Sequence, residues 1–111
     1  YGTSKFAVRG FSEALAEELR ATSIGVTLVH PGAIATDIMR RSTGDDPELL
    51  QRLTRWYQRH AMPPARAAAR IIRAVERGTP RLLIGPETIL GDLLRRVLPV
   101  TGNRIMVDAI I

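Results

Sequence analysis

The sequence contains no cysteine, which excludes a disulfide framework and a thiolate metal site. Aromatic residues make up only 5% of the chain. No apolar run reaches the roughly 18 residues that a membrane-spanning helix needs. The start of the chain also lacks the basic segment and apolar stretch of a secretory signal peptide. These absences favour a reducing compartment, and we predict a cytoplasmic protein with no membrane span and no metal site.

Lysine is almost as scarce, since Lys5 is the one lysine among 16 basic residues and the other basic residues are arginines. The formal net charge of +5 fits either an anionic partner or one part of a larger domain whose remainder is acidic. The chain opens without Met and directly into a helical pattern. We therefore expect a fragment of one larger domain rather than a complete domain.

The first third of the chain predicts a helix followed by a strand. Residues 1–22 carry apolar side chains at four-residue steps, namely Ala7, Phe11, Leu15 and Leu19, as expected for the buried stripe of a helix. Residues 26–30 form a short, nearly continuous apolar run, which is typical of a buried parallel strand. We expect Pro31 and Gly32 to end this strand.

The remaining two thirds predict three more helices and a second strand. Asp46, Pro47 and Glu48 form a good helix start, so we place a helix over 47–60. Further elements follow as a helix over 64–77 with Ala68, Ile71, Ile72 and Val75 inward, a strand over 81–84, and a helix over 87–98 that buries Leu90, Leu93, Leu94 and Val97. Residues 99–111 show no decisive period and are left unassigned. The alternation of helices and strands predicts an α/β fold, incomplete on its own because two strands cannot complete a core.

Tyr1 and Lys5 are the first candidates for chemistry. Four residues apart on a helix, they share a face and their side chains can converge. A phenol is a poor base at neutral pH, but a nearby ammonium favours its ionised form. Such a tyrosine could take a proton from an alcohol or give one to a carbonyl. The plainer interpretation, a surface tyrosine beside a surface lysine, stays open on this spacing alone.

The residues after the first strand are the second candidate. Ligands of open α/β sheets bind outside the carboxyl ends of the strands. Gly32 allows a close approach of the backbone, Pro31 offers a rigid apolar face, and Thr36 can hydrogen-bond an amide. An ordinary strand-ending turn is the alternative.

Together the two features resemble the short-chain dehydrogenase/reductase family. Residues 1–5, Tyr-Gly-Thr-Ser-Lys, look like its Y-x-x-S-K active-site helix, and residues 29–37 look like its strand-PG-x-x-x-T segment. The resemblance implies the C-terminal half of a single Rossmann-type domain with a doubly wound parallel sheet. In that domain residues 37–62 would be the substrate lid and residues 99–111 the tail.

The resemblance also implies roles for individual residues. Tyr1 would be the general acid/base, and Lys5 would promote its ionisation and bind the nicotinamide ribose. Pro31 and Gly32 would line the nicotinamide of NAD or NADP, while the backbone of Ile34 and the hydroxyl of Thr36 would hold its carboxamide. Hydride would pass between the cofactor and an alcohol or ketone.

Other parts of the family pattern are missing from this sequence. The family's glycine-rich phosphate loop precedes the tyrosine, so we expect the isolated chain to bind dinucleotide weakly and to be inactive. Residues 6–20 would pair subunits into a homo-oligomer.

Two other functions are open at this point. The chain could be an inactive remnant that serves as a helical dimerisation or interaction module. It could also be a basic nucleic-acid-binding domain, because Arg66, Arg70, Arg73 and Arg77 form a stripe along one helix. No aromatic residue interleaves with these arginines, so a solvated helix face is the favoured interpretation and no nucleic-acid partner is predicted.

Overall fold

A pair of parallel strands and five helices make up the part of the chain that the computed structural model describes, residues 1–38, 41 and 46–110. In chain order the elements are α1 (Gly2–Glu18), β1 (Leu28–Pro31), α2 (Pro47–His60), α3 (Pro64–Glu76), β2 (Arg81–Ile84), α4 (Pro86–Val97) and α5 (Gly102–Ile110). Part of the lid predicted over 37–62 lies outside the described residues. None of the helices in the described part is long and apolar enough to span a membrane.

The sheet consists of β1 and β2, paired in parallel with Leu28 opposite Arg81 and Pro31 opposite Ile84. The strand was predicted over 26–30, but β1 begins at Leu28, opposite the first residue of β2, and includes Pro31. The backbone N–H groups of Leu28 and Gly32 donate to Pro80 and Ile84 of the neighbouring segment. Alternate residues of a strand face the same neighbour, so Pro31 occupies a position whose missing N–H would point away from β2. The strand therefore tolerates the proline as its last residue and ends before Gly32, as expected.

Three helices have bounds that differ from the predicted ones. α1 stops at Glu18 rather than at residue 22, because the chain turns there and the Thr22 hydroxyl accepts from the Ile24 N–H and donates to the Leu19 carbonyl. The helix predicted over 87–98 is α4, which begins one residue earlier, with Gly85 at the N-cap and Pro86 at the first helical position. α3 ends at Glu76 and β2 has the predicted bounds.

The start of α2 follows the predicted capping geometry. The Asp46 carboxylate accepts from the backbone N–H groups of Glu48 (3.0 Å) and Leu49 (3.1 Å). These contacts satisfy two of the N–H groups that a helix leaves unpaired at its first turn. The helix then runs to His60 as expected.

The apolar stripes predicted for burial are only partly buried. On α3 the buried residues are Ala67 and Ala74, whereas Ile72 and Val75 are about three-fifths exposed. Other residues that were predicted to be buried are also exposed, namely Ala7, Phe11, Ala68, Leu90, Leu93 and Val97. Of the residues predicted to face inward, Leu15, Leu19, Ile71 and Leu94 are half-buried. On α3 the buried positions, Ala67 and Ala74, lie next to the predicted ones rather than on them.

The unassigned tail forms a helix that packs on α4. Gly91 of α4 is buried, and a Cβ built there would lie 2.5 Å from the Met106 sulfur of α5. Gly102 is likewise close to the Leu94 carbonyl, at 2.6 Å from a built Cβ. Small residues thus allow the two helices to approach closely, and this contact explains why α5 forms despite an undecided sequence pattern.

The arrangement is open for its length. Its radius of gyration is 15.8 Å, whereas a compact domain of this length has about 13 Å. Buried apolar residues are few in the described part of the chain, namely Ala33, Ala67, Ala74 and Ile84. The fold is accordingly a partial Rossmann-type α/β arrangement, as predicted, with parallel strands and covering helices but a small core.

Candidate functional site

The candidate site is a turn at the carboxyl ends of both strands, residues 32–36, which we call the strand-end turn. Each of its backbone N–H groups has a partner within the chain. The acceptors, in order from Gly32 to Thr36, are the Ile84 carbonyl (2.8 Å), the Glu87 carboxylate (2.8 Å), the Tyr57 hydroxyl (3.1 Å), the Met62 carbonyl (2.9 Å) and the Ile34 carbonyl (2.7 Å). The turn is therefore held from β2, from α4 and from the end of α2.

Glu87, in the first turn of α4, reaches across to the strand-end turn. Its Oε1 accepts from the Ala33 N–H. A Cβ built on Gly32 would lie 1.9 Å from this oxygen, and one built on Gly85 would lie 2.3 Å from it. Gly85 also has a positive φ of 101°, which favours glycine. The absence of two side chains thus makes room for this carboxylate between the strand ends.

Tyr57, on α2, contacts the same turn from the other side. Its hydroxyl accepts from the Ile34 N–H and donates to the Ile34 carbonyl. The segment after α2 adds a short parallel bridge between Ile34 and Met62. In this bridge Met62 donates to the Ala33 carbonyl (2.8 Å) and accepts from Ala35. The end of the predicted lid is therefore attached to the turn by main chain and by one phenol.

Two cavities adjoin the strand-end turn, and Tyr57 lines both. The first, of about 400 Å³, is lined on the turn by Gly32 and Ala33. The second, of about 510 Å³, is lined on the turn by Ala35 and Thr36. The Tyr57 phenol thus lies between the two cavities, next to Ile34, which separates the turn residues of the first cavity from those of the second.

A polar cluster lies on the wall of the first cavity. Arg81 donates from Nη1 and Nη2 to the two oxygens of Asp92, at 3.1 and 2.5 Å, and from Nε to Nε2 of His30 at 3.3 Å. Hydrogen bonding from Arg81 lowers the pKa of Asp92. Burial, with the charge of Arg81 second, lowers the pKa of His30. His30 therefore acts here as a neutral acceptor rather than as a cation.

The first predicted pair, Tyr1 and Lys5, is brought together by the start of α1. Tyr1 is the N-cap residue, its carbonyl accepts from the Lys5 N–H and the Ser4 hydroxyl, and the Lys5 ammonium lies 5.3 Å from the centre of the Tyr1 ring. This is a cation–π distance. Tyr1 is 90% exposed, and neither residue is among those that line the first cavity.

The other residues predicted for the site lie close together in the structure. Pro31 is the last residue of β1, and Gly32, Ile34 and Thr36 belong to the strand-end turn. Neither Glu87 nor Tyr57 was predicted from the sequence as a contact of the turn. Gly85-Pro86-Glu87 at a helix start was the available signal for Glu87, while no local pattern pointed from Tyr57 to Ile34.

Comparison with known proteins gives related proteins over nearly the entire chain. Residues 1–47 match the family described as short chain dehydrogenase. SadH of Mycobacterium tuberculosis, designated an oxidoreductase, is 36% identical over 110 residues that cover 96% of this chain. The oxidoreductase EphD of Mycobacterium bovis is 31% identical over 89% of the chain, and the oxidoreductase YxnA of Bacillus subtilis is 28% identical over 96%.

The chain is much shorter than these relatives. It spans 40% of the length of SadH, 18% of EphD and 29% of YxnA. No solved structure matches the chain significantly. The relatives therefore describe a longer protein, of which the present residues correspond to one part.

Proposed function

We propose, since the chain belongs to the short-chain dehydrogenase family, that it is the C-terminal half of an NAD(P)-dependent oxidoreductase acting on an alcohol or ketone. Support comes from similarity to proteins designated oxidoreductases over 96% of the chain. The two alternatives, an interaction module and a nucleic-acid binder, receive no support from these relatives. The choice between NAD and NADP and the identity of the substrate stay open.

The observation that carries the catalytic part of the proposal is the Tyr1–Lys5 pair. The Lys5 ammonium lies 5.3 Å from the centre of the Tyr1 ring, so the two side chains are close enough to act at one site. In alcohol oxidation Tyr1 would accept the hydroxyl proton, and in ketone reduction it would donate a proton to the carbonyl oxygen. The nicotinamide, when bound, supplies the hydride chemistry.

The strand-end turn would hold the nicotinamide carboxamide. The Ile34 N–H and carbonyl already engage one hydroxyl that both accepts and donates. A primary carboxamide offers the same pair of functions through its oxygen and its NH₂ group. The residues present therefore fit the group, with Pro31 and Gly32 beside the ring and the Thr36 hydroxyl as a further partner.

The test of the proposal is Tyr1→Phe in the complete protein. Loss of a positioned acid/base lowers the rate by about 10²- to 10⁴-fold, so we expect kcat for NAD(P)-dependent alcohol oxidation to fall by that factor. Dinucleotide affinity, measured by quenching of protein fluorescence, should stay nearly unchanged and serves as the control. Retained turnover would remove the phenol from the mechanism.

Three further expectations belong to this proposal. The 111-residue chain alone should bind dinucleotide weakly and show no turnover, because it lacks a Gly-x-x-x-Gly-x-Gly loop. A homo-oligomer through residues 6–20 is supported by the exposure of Phe6 (63%) and Phe11 (68%) on α1. A cytoplasmic location stays our expectation from the sequence composition.

A further inference from the structure

The strand-end turn contains a contact that a carboxamide ligand would have to break. The Tyr57 hydroxyl engages both backbone groups of Ile34, one as acceptor and one as donor. These are the two groups to which the proposed function assigns the nicotinamide carboxamide. One backbone N–H cannot make two well-aligned hydrogen bonds at once, so the phenol and the ligand compete for the same positions.

The cavities support the same reading independently of the hydrogen bonds. Gly32 lines the first cavity and Thr36 lines the second, with Tyr57 on the wall of both. A flat ring that touches Gly32 while its carboxamide reaches Thr36 would extend from one cavity into the other. The Tyr57 side chain stands in this path, and its displacement would join the two cavities.

The position of Tyr57 on a weakly buried helix allows its side chain to be displaced. The phenol is half-buried and belongs to α2, a helix with no fully buried residue. The main-chain bridge between the turn and Met62 lies after the end of this helix. Tyr57 can therefore leave the turn, by rotation of its side chain or by movement of α2, while the bridge holds the end of the lid in place.

We propose that the Tyr57 hydroxyl occupies the carboxamide position on the Ile34 backbone when no cofactor is bound. Nicotinamide binding would displace this hydroxyl and so couple cofactor binding to release of the lid helix α2. This proposal rests on the proposed function, because it takes from it the assignment of Ile34 to the carboxamide. It adds a specific residue, the direction of its effect on affinity, and a consequence for α2.

The experiment compares the complete protein with its Tyr57→Phe variant, which removes only the competing hydroxyl. Free nicotinamide is the probe, titrated to high millimolar concentration while backbone amide signals are followed by NMR. Two ordinary hydrogen bonds to the backbone are lost, so we expect the variant to bind nicotinamide about 5-fold more tightly at Ile34 and Thr36. Without ligand, the Ile34 amide should exchange faster in the variant than in the original chain.

A matched variant controls for the loss of a helix hydroxyl away from both cavities. Ser12→Ala removes a hydroxyl that donates to the Val8 carbonyl within α1, at a residue that lines neither cavity. Its nicotinamide affinity and Ile34 exchange should equal those of the original chain. The Ala35 amide, held by Met62, should stay protected in all three proteins and reports that the bridge is intact.

Each outcome has one meaning. Tighter binding by Tyr57→Phe supports competition, whereas unchanged or weaker binding overturns it and leaves the carboxamide site standing. If nicotinamide shifts neither the Ile34 nor the Thr36 amide in any of the three proteins, the assignment of the carboxamide to this turn fails, and the competition proposal fails with it.

Discussion

The contact between Glu87 and the strand-end turn can be tested by its effect on the free energy of unfolding. A hydrogen bond from an N–H to a charged carboxylate contributes about 1.5–3 kcal/mol. Glu87 is half-buried, so solvent screening places the expected loss in Glu87→Ala near the lower bound, about 1.5 kcal/mol. Glu87→Gln keeps an acceptor oxygen without the charge, and it should lose about half as much.

Glu48→Ala is the matched control for this change. Glu48 and Glu87 each follow a proline in the first turn of a helix, so both carboxylates interact with the positive helix end by a similar 0.3–1 kcal/mol. Glu87 alone of the two makes the recorded bond to the strand-end turn. The difference between the two alanine variants therefore isolates the Ala33 contact.

A double-mutant cycle with Gly32→Ala tests the cradle around the carboxylate. The new Cβ would meet Glu87 Oε1 at 1.9 Å and the Ile84 carbonyl at 2.7 Å. Overpacking of this kind costs about 1–3 kcal/mol. Removing the Glu87 side chain relieves the first clash but not the second, so Gly32→Ala should cost about 1 kcal/mol less in the Glu87→Ala background.

The assay is urea denaturation of the complete protein and its variants, followed by circular dichroism. Energies of independent sites add to within about 0.5 kcal/mol. An additive cycle, or equal losses from Glu87→Ala and Glu48→Ala, would contradict the contact described here.

Two further predictions concern a charge pair and an apolar surface. Because Arg81 lowers the pKa of Asp92 in the folded chain, the pair's stabilisation is complete above about pH 4 and is lost as the pH falls further. Between pH 6 and pH 3, the free energy of unfolding of Asp92→Asn should fall by about 1 kcal/mol less than that of the original protein. The control Asp108→Asn should fall by as much as the original protein. If α1 pairs subunits, Phe11→Ser should weaken self-association at least about ten-fold in sedimentation equilibrium. Val100→Ser, which changes a residue that is 89% exposed outside α1, should leave it unchanged; equal behaviour of the two variants would count against this interface.

Local signals in the sequence were sufficient for most of the fold. Asp46 and Pro47 mark the start of α2 because capping and the φ of proline act within one helical turn. The alternation of apolar periods identified β1 and β2 and hence an α/β fold. The approach of Gly102 to the Leu94 carbonyl, by contrast, is decided between two helices, and no periodicity within residues 99–111 could have shown it.

Inward faces were harder to predict, for a reason that Ile72 and Val75 make clear. A period of 3.6 residues shows that a helix has an apolar face, but not how much of that face a neighbour covers. In α3 the alanines Ala67 and Ala74 are buried, and the two larger residues stay exposed. Burial depends on the width of the sheet, which is a property of the assembled strands rather than of the helix.

For the candidate site too, contacts within one helical turn were predictable from the sequence, whereas contacts between distant residues were not. Tyr1 and Lys5 are neighbours within one helical turn, so their spacing alone placed the ammonium beside the phenol. The contacts that hold the strand-end turn are separated by 23 residues for Tyr57 and by 54 residues for Glu87. A sequence pattern cannot pair residues at such distances without the parallel register that brings Pro31 opposite Ile84. The same register brings the end of β1 beside Ile84 and the start of α4, so that the Ile84 carbonyl and the Glu87 carboxylate reach the N–H groups of Gly32 and Ala33. A ligand that hydrogen-bonds to the backbone N–H groups of this turn would therefore have to displace the partners that they already have.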